Sequence, residues 1–138
     1  MKLQGTYFGA LLTALLTLAA AVGQNDPGVL KAHIPFSFVV AGRRLPPGRY
    51  ALSTLGEQTL RVASPHNQSA FVMTSRVDAR RPAASGTIVF HRYRDVYFLA
   101  QVWHAGSSQG KQVYKSQVEG DLERKGERME IAVLLTKD

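Results

Sequence analysis

"TIVFHRYRDVYFLAQVW", residues 87–103, is the stretch on which the fold turns. Two runs rich in β-branched and aromatic residues flank Arg94-Asp95, the pattern of a hairpin closed by a two-residue turn. Such a turn pairs Tyr93 with Val96, Arg92 with Tyr97, His91 with Phe98 and Phe90 with Leu99. One face then carries Val89, His91, Tyr93, Val96, Phe98, Ala100, Val102 and His104. The other carries Ile88, Phe90, Arg92, Tyr97, Leu99, Gln101 and Trp103. Register is the sensitive point, because one extra residue reverses the two faces relative to each other. The passage reads first as a core hairpin and second as a binding face.

Outward from this hairpin the chain repeats the same period. In "VLKAHIPFSFVV" (29–40), Leu30, Ala32, Ile34, Phe36, Phe38 and Val40 share one face, and Lys31, His33 and Ser37 the other. That alternation predicts a half-buried strand, with Pro35 marking an edge or a bulge because it lacks an N–H. "AGRRLPPGRYAL" (41–52) turns the chain, Pro47-Gly48 suiting a type II turn, and Tyr50 and Leu52 resume the inward pattern. "TLRVAS" (59–64) is a third strand with Leu60 and Val62 inward, "SPHNQS" (64–69) a turn, and "AFVMTSRV" (70–77) a fourth strand. "DARRPAASG" (78–86) is a polar loop, and "HAGSSQGKQ" (104–112) a flexible one. "SQVE" (116–119) is a capping box, which predicts a helix over about 117–125 ended by Gly126, with Val118 and Leu122 toward the body. "MEIAVLLT" (129–136), apolar on nearly both faces, reads as a central seventh strand. The sum is an all-β fold: an antiparallel β-sandwich or small barrel of about seven strands, with one short helix before the last strand.

The first residues carry a different signal. Lys2 is the sole charge before Asp26, residues 7–22 are apolar, and Ala21 and Gly23 precede Gln24. A positive start, a short apolar run and a small-x-small site predict a signal peptide over residues 1–23 and a single β-rich domain over 24–138. The run falls short of the roughly 18 residues of a spanning helix, so no transmembrane segment is expected after cleavage. An exported protein, periplasmic or extracellular, follows. The chain has no cysteine, which excludes disulfides, thiol chemistry and Cys-based zinc sites.

Cleavage removes only Lys2 from the 17 Lys and Arg, so the mature chain carries +6 against 10 Asp and Glu. That charge suits an anionic surface such as lipid head groups, acidic glycans or nucleic acid, and it suits solubility equally; the partner expected is an anionic envelope component or another envelope protein. Arg43, Arg44, Arg80, Arg81, Arg92 and Arg94, with Tyr93 and Tyr97 as rings, form the basic and aromatic candidates for binding, and Arg49 could share one basic face with them. They resemble a single-strand nucleic-acid surface, yet export argues against nucleic acid as the partner, and Arg92 opposite Tyr97 serves equally as a structural cross-strand pair. Trp103, the one tryptophan, fits a core or capping role ahead of a partner anchor.

Catalytic signals are weak. His91 and His104 fall roughly 20 Å apart along the hairpin at about 3.3 Å per residue, far outside joint reach of a metal. No HxH or HExxH spacing and no G-x-S-x-G elbow is present. "GSSQGKQ" (106–112) has three residues between its glycines and Gln112 after Lys111, so it fails as a phosphate loop. No catalytic residue, metal ligand or cofactor is expected.

"HIPFSFVV" (33–40), "LPPGRY" (45–50), "VFHRYRDVYFLAQVW" (89–103) and "KSQVEGDL" (115–122), in this order behind a leader, resemble an uncharacterised family of small exported bacterial β-rich proteins. The likeness spans most of the mature chain and implies a β-rich fold and an envelope or secreted location. It brings no catalytic residues with it. "LPPGRYAL" (45–52) is also similar to the turn-and-strand signature of prealbumin-like sandwich domains. Together these readings predict a non-catalytic exported interaction module, with contacts at Arg43-Arg44, Arg80-Arg81 and the tip from Tyr93 to Tyr97. Two alternatives stay open: a small barrel carrying an apolar ligand, and a small hydrolase.

Overall fold

A computed structural model describes residues 29–66 and 68–135; the expected leader, residues 1–23, lies outside them. The elements are β1 (Leu30–Ile34), β2 (Phe38–Val40), β3 (Arg43–Leu45), β4 (Gly48–Leu55), β5 (Thr59–Ala63), β6 (Ser69–Asp78), β7 (Thr87–Tyr93), β8 (Val96–Trp103), β9 (Gln109–Val113), α1 (Gln117–Lys125) and β10 (Met129–Leu134). Among the described residues the fold is all-β with a single short helix before the last strand, in a sandwich or barrel-like arrangement.

Strand β6 joins the two layers. Its residues 69–73 pair with β5 and its residues 74–78 with β9, so one ten-residue strand runs from one sheet into the other. The first layer runs β1-β4-β5-β6 and the second β6-β9-β8-β7-β10. One edge of β8 is taken by β7 along its length, and the opposite edge is divided between β9 and, at Val39↔Phe98, the parallel strand β2.

Among the described residues ten strands form where about seven were expected, and each addition has a local cause. Pro35 does not merely bulge the first strand: it ends β1, and the chain crosses to the second layer as β2. The inward alternation survives the crossing, with Ala32, Ile34, Phe38 and Val40 all buried. The turn that follows is at Ala41-Gly42, both with positive φ (54° and 72°), which closes a β2–β3 hairpin. Pro47-Gly48 instead leads directly into β4, and the Tyr50 hydroxyl donates to the Pro46 carbonyl at 2.5 Å.

The expected flexible loop over 104–112 is in its second half strand β9. Gly110 is there for packing: a Cβ on it would lie 2.7 Å from the Trp103 ring, so the indole covers the bare backbone. The last strand is a correction as well. Strand β10 pairs only with β7, Met129 and Leu134 are exposed, and Ile131 and Val133 pack against the core. It is an edge strand.

The hairpin of residues 87–103 pairs in the expected register from its tip to Phe90↔Leu99. Between Val89 and Phe90 the register then shifts, leaving Ala100 as the extra residue of a bulge. Beyond it the faces exchange as the period-two rule demands. Val102 joins Ile88, Phe90 and Leu99 in the core, and Gln101 and Trp103 pass to the outer side with Val89 and Thr87.

An aromatic chain runs through the interior. Tyr50 meets Phe38 edge-on at 5.0 Å, Phe38 meets Phe90 at 5.4 Å, Phe90 meets Phe36 at 5.0 Å, and Phe36 stacks on Tyr97 at 3.9 Å. Thr74 on β6 is buried, and its hydroxyl has no hydrogen-bond partner among the described residues. An unpaired buried hydroxyl costs folding free energy, and valine has nearly the same shape. The Thr74→Val substitution is therefore expected to stabilise the protein by about 1 kcal/mol, read as a higher denaturant midpoint at unchanged slope.

Candidate functional site: a basic cleft on the outer face of the first sheet

The outer face of the first layer is set by register. His33 on β1 stands directly opposite Arg49 on β4, and Lys31 opposite Ala51, which is itself opposite Ala63 on β5. Small side chains at Ala51 and Ala63 leave a hollow between the longer ones. The result is a cleft of about 560 Å³ lined by Lys31, His33, Arg49 and Ser64 among others. A second hollow of about 250 Å³ adjoins it, with Pro46, His66 and Gln68 in its wall. Arg49, Tyr50, Ser64 and Pro65 line both, so Arg49 stands on the partition.

Among the described residues, the lining of both hollows includes no carboxylate. The Arg49 side chain makes no hydrogen bond or ion pair among the described residues. A cation with no acid beside it favours an anion from solution. Arg43 extends the same edge: its Nη1 donates to the Ser69 carbonyl at 3.0 Å, next to Gln68 in the second hollow.

Most of the expected contact residues do not meet here. Arg44 is exposed on β3, and Arg80 and Arg81 are exposed in the loop after β6. At the hairpin tip, Arg94 is exposed with φ 57° and its carbonyl accepts from Arg92 Nε at 2.6 Å. The Arg92 guanidinium lies 5.6 Å from the Tyr97 ring, which is already stacked on Phe36. Tyr93 is buried. Trp103 covers Gly110 and donates from Nε1 to Gln101 Oε1 at 3.0 Å. The three aromatic candidates are thus engaged within the protein.

A second polar group lies under α1. Ser116 caps the helix and accepts from the Glu119 N–H at 3.1 Å, as the capping box requires. The Glu119 side chain does not complete the box. It turns inward and is 4% exposed, accepting from the Tyr93 hydroxyl at 3.0 Å and lying 3.3 Å from His91 Nδ1. The helix accordingly presents Glu119 to the sheet and leaves Val118 exposed, the reverse of the expected assignment for Val118. His91 Nε2 faces the exposed Glu130 carboxylate at 3.8 Å.

Burial, and then the hydrogen bond to Glu119, raise the Tyr93 phenol above its usual value. A raised phenol favours the neutral form in the folded state. Its contribution to stability is complete below the free phenol's value of about 10 and is lost as pH rises through the higher folded value. Urea denaturation across that alkaline range is expected to show a steeper loss for the wild type than for Tyr93→Phe.

Comparison with family models, with curated proteins and with solved structures finds no match for this chain. Among the described residues no helix is long and apolar enough to cross a membrane, and no group of three or more metal-ligating side chains is present. Sequence reading named Arg49 only as one member of a basic face and did not single out Lys31, His33, Ser64 and His66 as a site. Their signal was the polar face of the first strand, but the pairing of β1 with β4 skips two strands, and no local pattern carries it.

Proposed function

We propose that the protein is a non-catalytic binding module of the cell envelope or secreted fraction, taking an anionic, phosphate- or carboxylate-bearing partner at the basic cleft. The observation that carries this reading is the cleft around Arg49, lined among the described residues by cationic and imidazole side chains without a carboxylate. The apolar-carrier alternative is disfavoured by an interior filled by Phe38, Phe90, Ile34, Leu52 and Leu60, all nearly inaccessible. For the hydrolase alternative, His91 is buried between two carboxylates and no serine bonds it among the described residues.

Titration calorimetry with glycerol phosphate tests the reading. One charge-assisted contact is worth about 1.5–3 kcal/mol, so Arg49→Glu is expected to weaken binding at least about tenfold, and added salt to weaken it further. Equal, salt-insensitive binding by both proteins contradicts the assignment.

A further inference from the structure

We infer that the whole outer face of β1, β4, β5 and the first half of β6 is a docking surface for an anionic lipid bilayer. This rests on the cleft reading above and names its occupant: the cleft takes a lipid phosphate head group.

The face has two halves. Across the strands, Ser53, Arg61 and Phe71 form one row, and Leu55, Thr59 and Met73 the next. Tyr114, whose N–H donates to the Met73 carbonyl, extends the second row past the end of β9. Leu55, Phe71, Met73 and Tyr114 are 51%, 53%, 57% and 59% exposed. Scattered exposed apolar residues are ordinary; four on adjoining positions of one face mark an interaction surface.

The basic cleft lies on the same face, two to four residues back along the strands from the Phe71 row and four to six from the Met73 row. At about 3.3 Å per residue, Arg49 falls roughly 13 Å along the strands from the first row and roughly 20 Å from the second. Arg61 stands in the nearer of those rows, directly opposite Phe71. The outward positions of these strands carry Lys31, His33, Arg49 and Arg61, and no Asp or Glu. Glu57, in the turn between β4 and β5, flanks the apolar end, with the Lys111 ammonium held at its carbonyl at 2.8 Å.

Charge selects the occupant. A second copy of this chain would bring the same cations to the same face. An anionic glycan would answer the charge and leave Phe71 and Met73 in water. A bilayer surface answers both: phosphates meet the cations while apolar and aromatic side chains enter the head-group boundary. Arginine and lysine stems suit this geometry, since they keep their charge at the interface while their methylenes lie along apolar surface.

The test is vesicle sedimentation, with phosphatidylcholine alone and with phosphatidylcholine plus phosphatidylglycerol. It compares the full chain with the double variant F71S/M73S and with Arg61→Glu, so that any contribution from the N-terminal residues cancels. These side chains are exposed, and an unchanged denaturation midpoint confirms that each variant folds. The wild type is expected to bind the anionic vesicles and release them with salt. F71S/M73S and Arg61→Glu are each expected to bind at least about tenfold more weakly, with glycerol phosphate titration of F71S/M73S unchanged. If F71S/M73S sediments with vesicles like the wild type, docking through this face is overturned and the cleft reading stands. If vesicles bind through Phe71 and Met73 but glycerol phosphate does not bind, docking stands and the cleft reading fails. Self-association in sedimentation velocity that F71S/M73S abolishes, with no vesicle binding, assigns the face to a second copy and overturns the proposal.

Discussion

Phe90→Ala is expected to destabilise the protein by about 3–5 kcal/mol, the usual cost of emptying a fully buried phenylalanine site. Phe90 is 0% exposed and sits at the centre of the aromatic chain, edge-on to Phe36 and to Phe38. Phe38 belongs to β2 and Phe36 to the crossover from β1, so the ring fastens both ends of that crossover to the hairpin. Truncation removes two aromatic contacts as well as apolar burial, and the rigid strands on either side cannot collapse into the space. Against a total stability of about 5–15 kcal/mol, such a loss is a large share. Guanidinium denaturation measures it, with Phe71→Ala as the contrast. Phe71 is half exposed, and its truncation is expected to change stability by less than about 0.5 kcal/mol. Similar losses at the two positions would contradict the assignment of the core.

Glu119→Ala carries the next largest effect, about 2–4 kcal/mol. The Tyr93 hydroxyl and His91 Nδ1 both meet the same oxygen, Oε2 of Glu119, beneath α1. Alanine leaves both buried groups without a partner, and the cost of stranding them exceeds the net worth of the bonds themselves. The helix also loses its attachment. Nine residues with Gly120 among them make a marginal helix in isolation, and tertiary contact sustains it. Faster amide hydrogen exchange across α1 should therefore accompany the fall in stability. Glu119→Gln, which keeps the shape and an acceptor oxygen, is expected to lose less. A change under about 0.5 kcal/mol for the alanine variant would mean that the buried contacts contribute nothing.

Local patterns in the sequence were read well where both partners lie close along the chain. The hairpin around Arg94-Asp95 pairs as its two-residue turn dictates, and α1 spans the interval set by Ser116 and Gly126. Inward positions such as Leu60 and Val62 followed from alternation alone. What the sequence concealed were decisions made between distant residues. The bulge at Ala100 depends on how the far half of β8 meets the second layer, and nothing in "FLAQVW" announces it. Gly110 looked like a loop glycine because its reason, the Trp103 ring above it, belongs to another strand. Glu119 looked like a capping residue and is one through its backbone only; its carboxylate is drawn inward by two groups on β7.

The candidate site shows the same division. Arginines at turns attracted attention because doublets such as Arg43-Arg44 and Arg80-Arg81 stand out in a sequence. The cleft is instead assembled from single residues, Lys31, His33, Arg49 and His66, on two strands and a turn. Each looks ordinary alone. Their convergence depends on β1 pairing with β4 across the intervening hairpin, a long-range choice made by the core face and not by the residues that line the cleft.

Amide chemical-shift mapping during a titration with glycerol phosphate tests that convergence most directly. The cleft account predicts saturable shifts confined to the neighbourhood of His33, Arg49, Ser64 and His66, reduced by salt and absent in Arg49→Glu. Shifts centred on Arg80-Arg81 or on the Arg94 tip, or none at all, would contradict it.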